Sequence, residues 1–308
     1  MIKNIFIVSG IVICLFTNCN REEDRVEAVE NMRDWFRIEE KPGEVNRWIY
    51  KVYQENGITI FVNDTLGQEE RGTDAYGYPV IHTELFDMGY YVYGTYEDAR
   101  IRLSSDSSAM LAAIGMIKDL VAPWLPAAGE YRPHSFLLVD SVLVSGRISY
   151  YDVTYETNLY SRSIKGLVVG RLNRIKEMSA DELQWFAGEI LAVKCADWIQ
   201  ENCPDELQYF YKVTGDNYNV AYTSSLPAGT LEKIGFIKWL EVSVSSRHLI
   251  QTPDQEEDIR HYVAAVYVYR GKEAEFHALY EEYPNVVSKF DRIRPLVESY
   301  EKANEIKG

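Results

Sequence analysis

The sequence predicts an α+β protein, because strands and helices alternate in its first part and helices dominate its second part. Three short runs have the apolar composition of strands, at residues 57–62, 134–139 and 167–172. Residues 44–55 and 105–120 are predicted helices. From residue 179 onward, apolar residues recur mostly at helical spacing. Strands followed by helices are the order typical of an α+β fold.

Helix-start signals mark the second part of the chain. Ser179 followed by Glu182 has the pattern of a capping box, in which a hydroxyl and a carboxylate accept hydrogen bonds from free backbone N–H groups. Thr252 followed by Pro253 predicts another start, with proline at the first helical position. Pro284 predicts the start of the last helix.

The N-terminus has the pattern of a secretory signal peptide over residues 1–18. Lys3 supplies a positive charge, residues 5–16 are largely apolar, and short polar residues precede Cys19. The apolar run is interrupted by Ser9 and Gly10, and it is shorter than the roughly 18–20 residues that span a bilayer. A permanent membrane helix and cleavage without lipidation are the alternatives.

Cys19 is the predicted lipidation site, because residues 15–19 resemble the box at which bacterial lipoproteins are cleaved and lipidated. Asn18 departs from the small residue that is usual there. The acidic residues 22–24 resemble the surface-export signal of certain Gram-negative lipoproteins, although a solvated linker is also charged. We therefore expect an outer-membrane lipoprotein, at the cell surface or facing the periplasm, whose lipid on Cys19 holds it to the membrane.

The chain after the signal peptide is predicted to fold as one compact domain behind a tether. Residues 19–42 are expected to be a lipid-anchored tether with a short helix, because apolar residues there recur at helical spacing (Val26, Val29, Met32, Trp35 and Phe36). Residues 43–178 form the predicted α/β half, and residues 179–308 form the predicted helical half.

Charge and cysteine content limit the possible partners and cross-links. The formal net charge is −15 and no Lys/Arg cluster stands out, so we expect no nucleic-acid partner. Cys195 and Cys203 are eight residues apart, which is roughly 12 Å along a continuous helix. That separation is too long for a disulfide unless the helix has ended, so both are predicted to be buried thiols.

No complete catalytic motif occurs in the sequence. Zinc hydrolases of one large class need two His a helical turn apart with a Glu beside the first, and no His here has another within four residues. There is no Gly-x-Ser-x-Gly elbow and no phosphate loop, and the apolar neighbours of Cys195 make it a poor nucleophile. The 47 acidic residues are too many to select a glycosidase pair.

The order of several segments resembles a family of zinc-binding metallopeptidase lipoproteins, from about Trp48 to the C-terminus. The matching segments are residues 48–50, 57–62, 136–141, 170–173, 210–213, 235–237, 257–258 and 289–300. That family accompanies TonB-dependent outer-membrane nutrient importers of the starch-utilisation type. The resemblance implies a zincin-like fold, with a small mixed sheet and helices followed by a mostly helical C-terminal half.

The resemblance fails at the residues that carry the family's chemistry. The helix that starts after Ser179 carries His-Glu-Phe-Ala-His-Ile-Leu in the family. Here Trp185 and Phe186 replace the first His and the Glu, Glu189 replaces the second His, and His261 stands where a later Glu completes the site. An indole and a phenyl ring neither bind zinc nor transfer a proton. The resemblance therefore implies a degenerate site with no metal, no cofactor and no catalytic residue.

Glu189 and His261 leave two arrangements open. A rearranged zinc site would use both, but a catalytic site needs a third protein ligand. In the arrangement we favour, Trp185 and Phe186 are core, and Glu189 hydrogen-bonds or ion-pairs with His261. A remnant cleft between the two halves is the expected ligand surface, with Trp185, Glu189 and His261 in its lining.

The expected function is that of a catalytically inactive accessory or binding protein in nutrient uptake. Its partners would be a peptide or a glycan, or the TonB-dependent importer itself. The alternatives are an active hydrolase, with a rearranged metal site or a carboxylate-based mechanism, and a purely structural surface protein.

Overall fold

The predicted α+β arrangement is confirmed by the computed structural model, which describes residues 33–88, 98–148, 151–161, 163–222, 226–244 and 247–307. The chain from Trp35 onward forms one compact unit. The predicted signal peptide, Cys19 and most of the predicted tether lie outside the described residues. Within the described part, no helix has the length and apolar character needed to cross a membrane.

The described residues form nine α-helices and twelve strands. The helices are α1 (Glu44–Asn56), α2 (Ser107–Met116), α3 (Leu172–Ile175), α4 (Ala180–Asn202), α5 (Pro204–Thr214), α6 (Thr230–Lys233), α7 (Gln255–Val268), α8 (Glu273–Leu279) and α9 (Pro284–Ala303). The strands are β1 (Ile60–Phe61), β2 (Thr65–Thr73), β3 (Pro79–Leu85), β4 (Asp98–Arg102), β5 (Phe136–Leu138), β6 (Ser141–Ile148), β7 (Tyr151–Thr157), β8 (Leu159–Tyr160), β9 (Leu167–Val169), β10 (Ala221–Tyr222), β11 (Leu240–Val244) and β12 (Arg247–Gln251).

A four-stranded sheet of order β1-β5-β9-β8 lies at the centre of the first half. Strands β1, β5 and β9 are parallel, and β8 pairs antiparallel with β9. Every residue of β5 and β9 is buried, as expected of parallel strands covered on both faces. On one face, α1, α2 and α4 contribute Ile49, Ile114 and Phe186 to a shared core. The predicted strand at residues 57–62 shortens to β1, because Gly57 still ends α1 in a left-handed conformation.

A six-stranded sheet of order β10-β12-β11-β7-β6-β4 joins the two predicted halves. Strands β10, β11 and β12 come from the part of the chain that was predicted to be mostly helical, and β11 pairs with β7 from the first half. Residues 179–308 therefore contain three strands among their described residues, and the boundary at residue 178 does not separate the sheets. These strands are short, so the sequence pattern of the surrounding helices obscured them.

Strands β2 and β3 form a separate two-stranded hairpin. Much of it is exposed, including Tyr76 at 86% and Tyr78 at 69% of the side-chain surface. The ring of Trp35 packs on Gly67 of the hairpin. The contact is so close that a Cβ added at Gly67 would lie 2.5 Å from a ring carbon. Trp35 and Phe36 belong to a turn, so the described end of the predicted short helix is not helical. A turn lets the indole pack against the hairpin.

The long helix α4 begins as predicted and packs closely on α7. Ser179 and Glu182 form the capping box at its start. A Cβ added at Gly188 would lie 2.9 Å from the backbone oxygen of Ala264 in α7, so only glycine allows this approach without a shift. Helix α7 starts two residues later than predicted, because the capping box is made by Asp254 and Glu257 rather than by Thr252. Helix α9 starts at Pro284, as predicted.

The two cysteines are free and buried, as predicted. Cys195 lies within α4, whereas Cys203 follows the last residue of that helix and its amide bonds to the Ile199 oxygen at 2.8 Å. Burial raises the pKa of both thiols, so both remain protonated at neutral pH. They act as small apolar core residues.

A buried ion pair joins Lys289 of α9 to Asp258 of α7. Their side chains are 0% and 1% exposed. The Lys289 ammonium also donates to Thr214 Oγ1 and to the Gly235 oxygen, both at 2.9 Å. Four aromatic rings surround the ammonium, with centroids 4.3–5.7 Å away (Phe210, Tyr218, Phe236 and Tyr262).

We expect Lys289→Met to destabilise the fold by about 3–5 kcal/mol, because it leaves the Asp258 carboxylate buried without a counter-charge. Urea denaturation followed by circular dichroism measures this loss. The double variant Lys289→Met/Asp258→Asn should recover part of it. The control Lys51→Met breaks an exposed 3.9 Å pair with Glu55 and should cost less than about 1 kcal/mol. Equal losses in the two single variants would contradict a stabilising role for the buried pair.

Candidate functional site

A cleft of about 480 Å³ lies where α4 and α7 meet the loops before α3 and β11. Its charged and titratable lining comes from five places in the chain: Glu156 of β7, Arg171 before α3, Glu189 of α4, Lys238 before β11, and Glu257, Arg260 and His261 of α7. Trp239, Val193 and Leu159 add apolar surface. This volume is in the range of small-molecule sites.

Glu189 is held by two partners at the centre of the cleft. The Lys238 ammonium donates to its Oε1, and the Asn158 amide donates to its Oε2 at 2.7 Å. The carboxylate is only 13% exposed. A charge-assisted pair with a second donor satisfies the acceptors of a largely buried carboxylate. Both carboxylate oxygens of Glu189 are therefore occupied by groups of the chain itself.

His261 does not pair with Glu189, which corrects the favoured prediction. Its Nδ1 is buried and has no hydrogen-bond partner among the described residues. Burial lowers the pKa of His261 to about 3, and the charges of Lys238, Lys289 and Arg260 lower it further in the same direction. The imidazole is therefore neutral at physiological pH. The nearby Lys238 ammonium outcompetes a neutral imidazole for the Glu189 carboxylate.

Trp185 and Phe186 lie on α4, as predicted. Phe186 is 2% exposed and belongs to the core beside the parallel sheet. Trp185 packs on the opposite, helical core, with its ring edge-on to Tyr269 at 6.1 Å. The Lys238 ammonium lies 5.9 Å from the centroid of the Trp185 ring. Trp185 was predicted to line the cleft, but it is not among the lining residues and contacts only the Lys238 ammonium at its edge.

Glu257 faces the cleft from the first turn of α7. Its carboxylate is part of the capping box, where the Asp254 amide donates to it at 3.4 Å. Burial raises the pKa of Glu257 to about 7, and repulsion from Asp254 adds to that rise. The neighbouring Arg260 is already engaged by Glu256 and lies 3.6 Å from Asp197. Glu257 is therefore partly protonated at neutral pH.

The donor set does not fit a zinc ion. Among the described residues, no group of three or more His, Cys, Asp and Glu side chains is placed to hold a metal. Glu189 and His261 line the same cleft, but the Lys238 ammonium occupies the carboxylate that would have to bind a cation. A cation at Glu189 would have to displace another cation, which costs electrostatic free energy.

Lys238, Asn158, Arg171 and Glu257 are site residues that sequence reasoning did not identify as such. In the sequence, Glu257 and Arg171 stand out only as members of the matching segments 257–258 and 170–173. One signal for Glu257 was available in the sequence. It lies four residues before His261, so the two side chains share one face of the helix. Lys238 carried no comparable signal, because its approach to Glu189 depends on the tertiary path of the loop.

A second concavity, of about 570 Å³, lies between α8 and α9. It contains a His277–Asp291 pair at 2.9 Å, but these side chains are 43% and 46% exposed. A solvent-screened pair of this kind contributes little binding specificity. The cleft at Glu189 is therefore the better candidate site.

Comparisons with protein-family models, with curated proteins and with solved structures found no match to this chain.

We expect Glu257→Gln to make the protein more stable at alkaline pH. The folded-state pKa of about 7 lies above the ordinary value of 4.5, so the folded protein loses stability as pH rises through that interval. Glutamine stays neutral and keeps the acceptor for the capping box. Urea denaturation gives the free energy of unfolding of each protein. Wild type and Glu257→Gln should have equal values at pH 4, and the variant should be more stable by up to about 3 kcal/mol at pH 8. The control Glu275→Gln, at an exposed position of α8, should leave the pH profile unchanged. Parallel profiles for wild type and Glu257→Gln would contradict the raised pKa.

Proposed function

We propose that this chain is a non-catalytic binding protein whose ligand occupies the cleft between α4 and α7. The observation that carries the proposal is the engagement of Glu189 by Lys238 and Asn158, at the place where the resembled family has a metal-binding His. An ion pair there leaves no free base or metal ligand at that position. The surrounding cleft keeps the volume and the mixed polar and apolar lining of a ligand site.

We further propose a zincin-like fold and a role in nutrient uptake, on the strength of the sequence resemblance. The central sheet followed by α4 and α7 is compatible with a zincin-like arrangement, in which a long helix beside the sheet carries the site. In this proposal the protein binds peptide or glycan and works with a TonB-dependent importer.

A second candidate function is carboxylate-based hydrolysis. Glu257, with a raised pKa, and Glu189, held by Lys238, line the same cleft. Two carboxyl groups with different protonation are what a glycosidase needs. We favour binding without catalysis, because both oxygens of Glu189 are already bonded to Lys238 and Asn158.

The binding role is tested by measuring whether Trp239→Ala loses affinity for the ligand. Trp239 lines the cleft and is 38% exposed, so its removal should spare the fold while it removes apolar contact surface. Full-length protein in detergent is titrated by calorimetry with short peptides and with oligosaccharides. We expect at least one class to bind, and the affinity to fall about tenfold in the variant.

Trp48→Ala is the matched control, because Trp48 on α1 is 37% exposed and lies outside the cleft lining. The same preparation is assayed for zinc and for hydrolysis of the panel with and without chelator. We expect neither stoichiometric zinc nor hydrolysis. Chelator-sensitive cleavage would establish a metallohydrolase instead, and cleavage that resists chelator but is lost in Glu257→Gln would establish the carboxylate mechanism.

We propose that the protein is an outer-membrane lipoprotein, anchored through Cys19 and exposed at the cell surface. Cells fed a clickable fatty-acid analogue should label the wild-type protein, whereas Cys19→Ala should take up no label, because it lacks the acylated thiol. Cys203→Ala is the control, since that thiol is buried in the folded domain. Labelling that persists in Cys19→Ala would contradict the lipid anchor. Protease treatment of intact cells then distinguishes the surface orientation from the periplasmic one, because only a protein at the cell surface is digested.

A further inference from the structure

Arg171 adopts a backbone conformation that disfavours its side chain. Its φ and ψ are 64° and 17°, in the left-handed region that glycine and asparagine occupy more readily. The preceding Gly170 is closely packed, because an added Cβ would lie 3.2 Å from the Thr157 oxygen. The turn from β9 to α3 thus has one left-handed position, and an arginine occupies it. Such a residue in the wall of a cleft is a candidate for a functional role.

The guanidinium of Arg171 has no ion-pair or hydrogen-bond partner among the described residues, although it lines the cleft. The other cations there are engaged, Lys238 by Glu189 and Arg260 by Glu256. Glu156 and Glu182 act on Arg171 electrostatically, but neither forms a pair within 4.0 Å. Burial lowers the pKa of Arg171, which shows that the guanidinium has lost part of its hydration.

We propose that the cleft binds a small organic carboxylate and that Arg171 is the residue that receives it. A guanidinium presents a planar fork of donors that matches a carboxylate with two parallel hydrogen bonds. Filling that fork would replace the water that the half-buried side chain has lost. The inference rests on the proposed binding role of the same cleft, and it adds the chemical class of the ligand.

The remaining lining suits a ligand with a carboxylate at one end and an apolar or ring-shaped body. With its Nδ1 buried, neutral His261 has Nε2 as the ring nitrogen left to face the cleft. A buried N–H without a partner costs more than an unpaired lone pair, so the proton belongs on Nε2, which becomes a donor. Val193, Ile237 and Trp239 offer the apolar contact. The volume of about 480 Å³ limits the ligand to a small molecule or to the end of a longer one.

The test compares ligands that differ only in the carboxylate. Full-length protein in detergent is titrated with free-acid tripeptides and with the same tripeptides as C-terminal amides. A second arm uses oligosaccharides ending in a hexuronate and their neutral counterparts, and a third uses inorganic phosphate. We expect one acid of a matched pair to bind at least tenfold more tightly than its neutral partner, and the arm in which this occurs identifies the source of the carboxylate.

The variant Arg171→Gln should lower the affinity for the acid to that for its neutral partner, which abolishes the preference. Arg174→Gln is the matched control, because Arg174 is exposed on the same short helix α3 and lies outside the cleft lining. Arg171→Gly should also lose the preference while its thermal midpoint stays the same or rises, because glycine relieves the backbone strain. This combination separates a binding role from a structural one.

Three outcomes would overturn the inference. These are equal binding of acid and neutral ligands, a preference that survives in Arg171→Gln, and binding of phosphate where carboxylates do not bind. Each of these leaves the proposed binding function standing, since a ligand still occupies the cleft. Absence of binding by every ligand, together with hydrolysis or with no activity, is the separate result that defeats the proposed function as well.

Discussion

The buried pair between Lys289 and Asp258 fixes the segment that brings Lys238 to the cleft. The Gly235 oxygen accepts hydrogen bonds from both the Lys289 ammonium and the Tyr262 hydroxyl, each at 2.9 Å. Three residues later, Lys238 reaches Glu189 on α4. An ammonium in an aromatic cage is stable only with its counter-charge in place, so the position of this loop is tied to the integrity of the helical core. The cleft therefore depends on an interaction that takes no part in its lining.

The chemistry of the cleft follows from how its charges are paired. Glu189 and Lys238 neutralise each other, burial keeps His261 neutral, and Glu257 is partly protonated at neutral pH. These groups are poorly suited to bind a divalent cation. Glu156 and Arg171 are the other charged residues of the lining, and the guanidinium of Arg171 is the positive charge that no carboxylate among the described residues pairs with. The close approach of α4 and α7 at Gly188 holds Glu189 and His261 on two helices that face one opening.

Local signals in the sequence were sufficient for the long helices but not for the site. The capping box at Ser179, the proline at 284 and the helical spacing between them placed α4 and α9 correctly. Glu189 and His261 were expected in one cleft, and they are, but their predicted pairing was wrong because Lys238 intervenes. Arg171 and Lys238 enter from turns whose direction is set by distant packing. Strands β11 and β12 were missed because they are five residues each and lie between helices.

The hairpin of β2 and β3 bears on how a tethered protein responds to mechanical load. Its two strands pair with each other and with no other strand among the described residues, and the indole of Trp35 packs at its base against Gly67. If the chain is anchored at Cys19, tension along the tether reaches Trp35 before it reaches either large sheet. Force would therefore load the contact between the indole and the hairpin first. The next residue, Phe36, packs on Phe61 of β1 and accepts a hydrogen bond from the Thr59 hydroxyl at 2.9 Å, so the pull would pass to the parallel sheet once the indole has yielded.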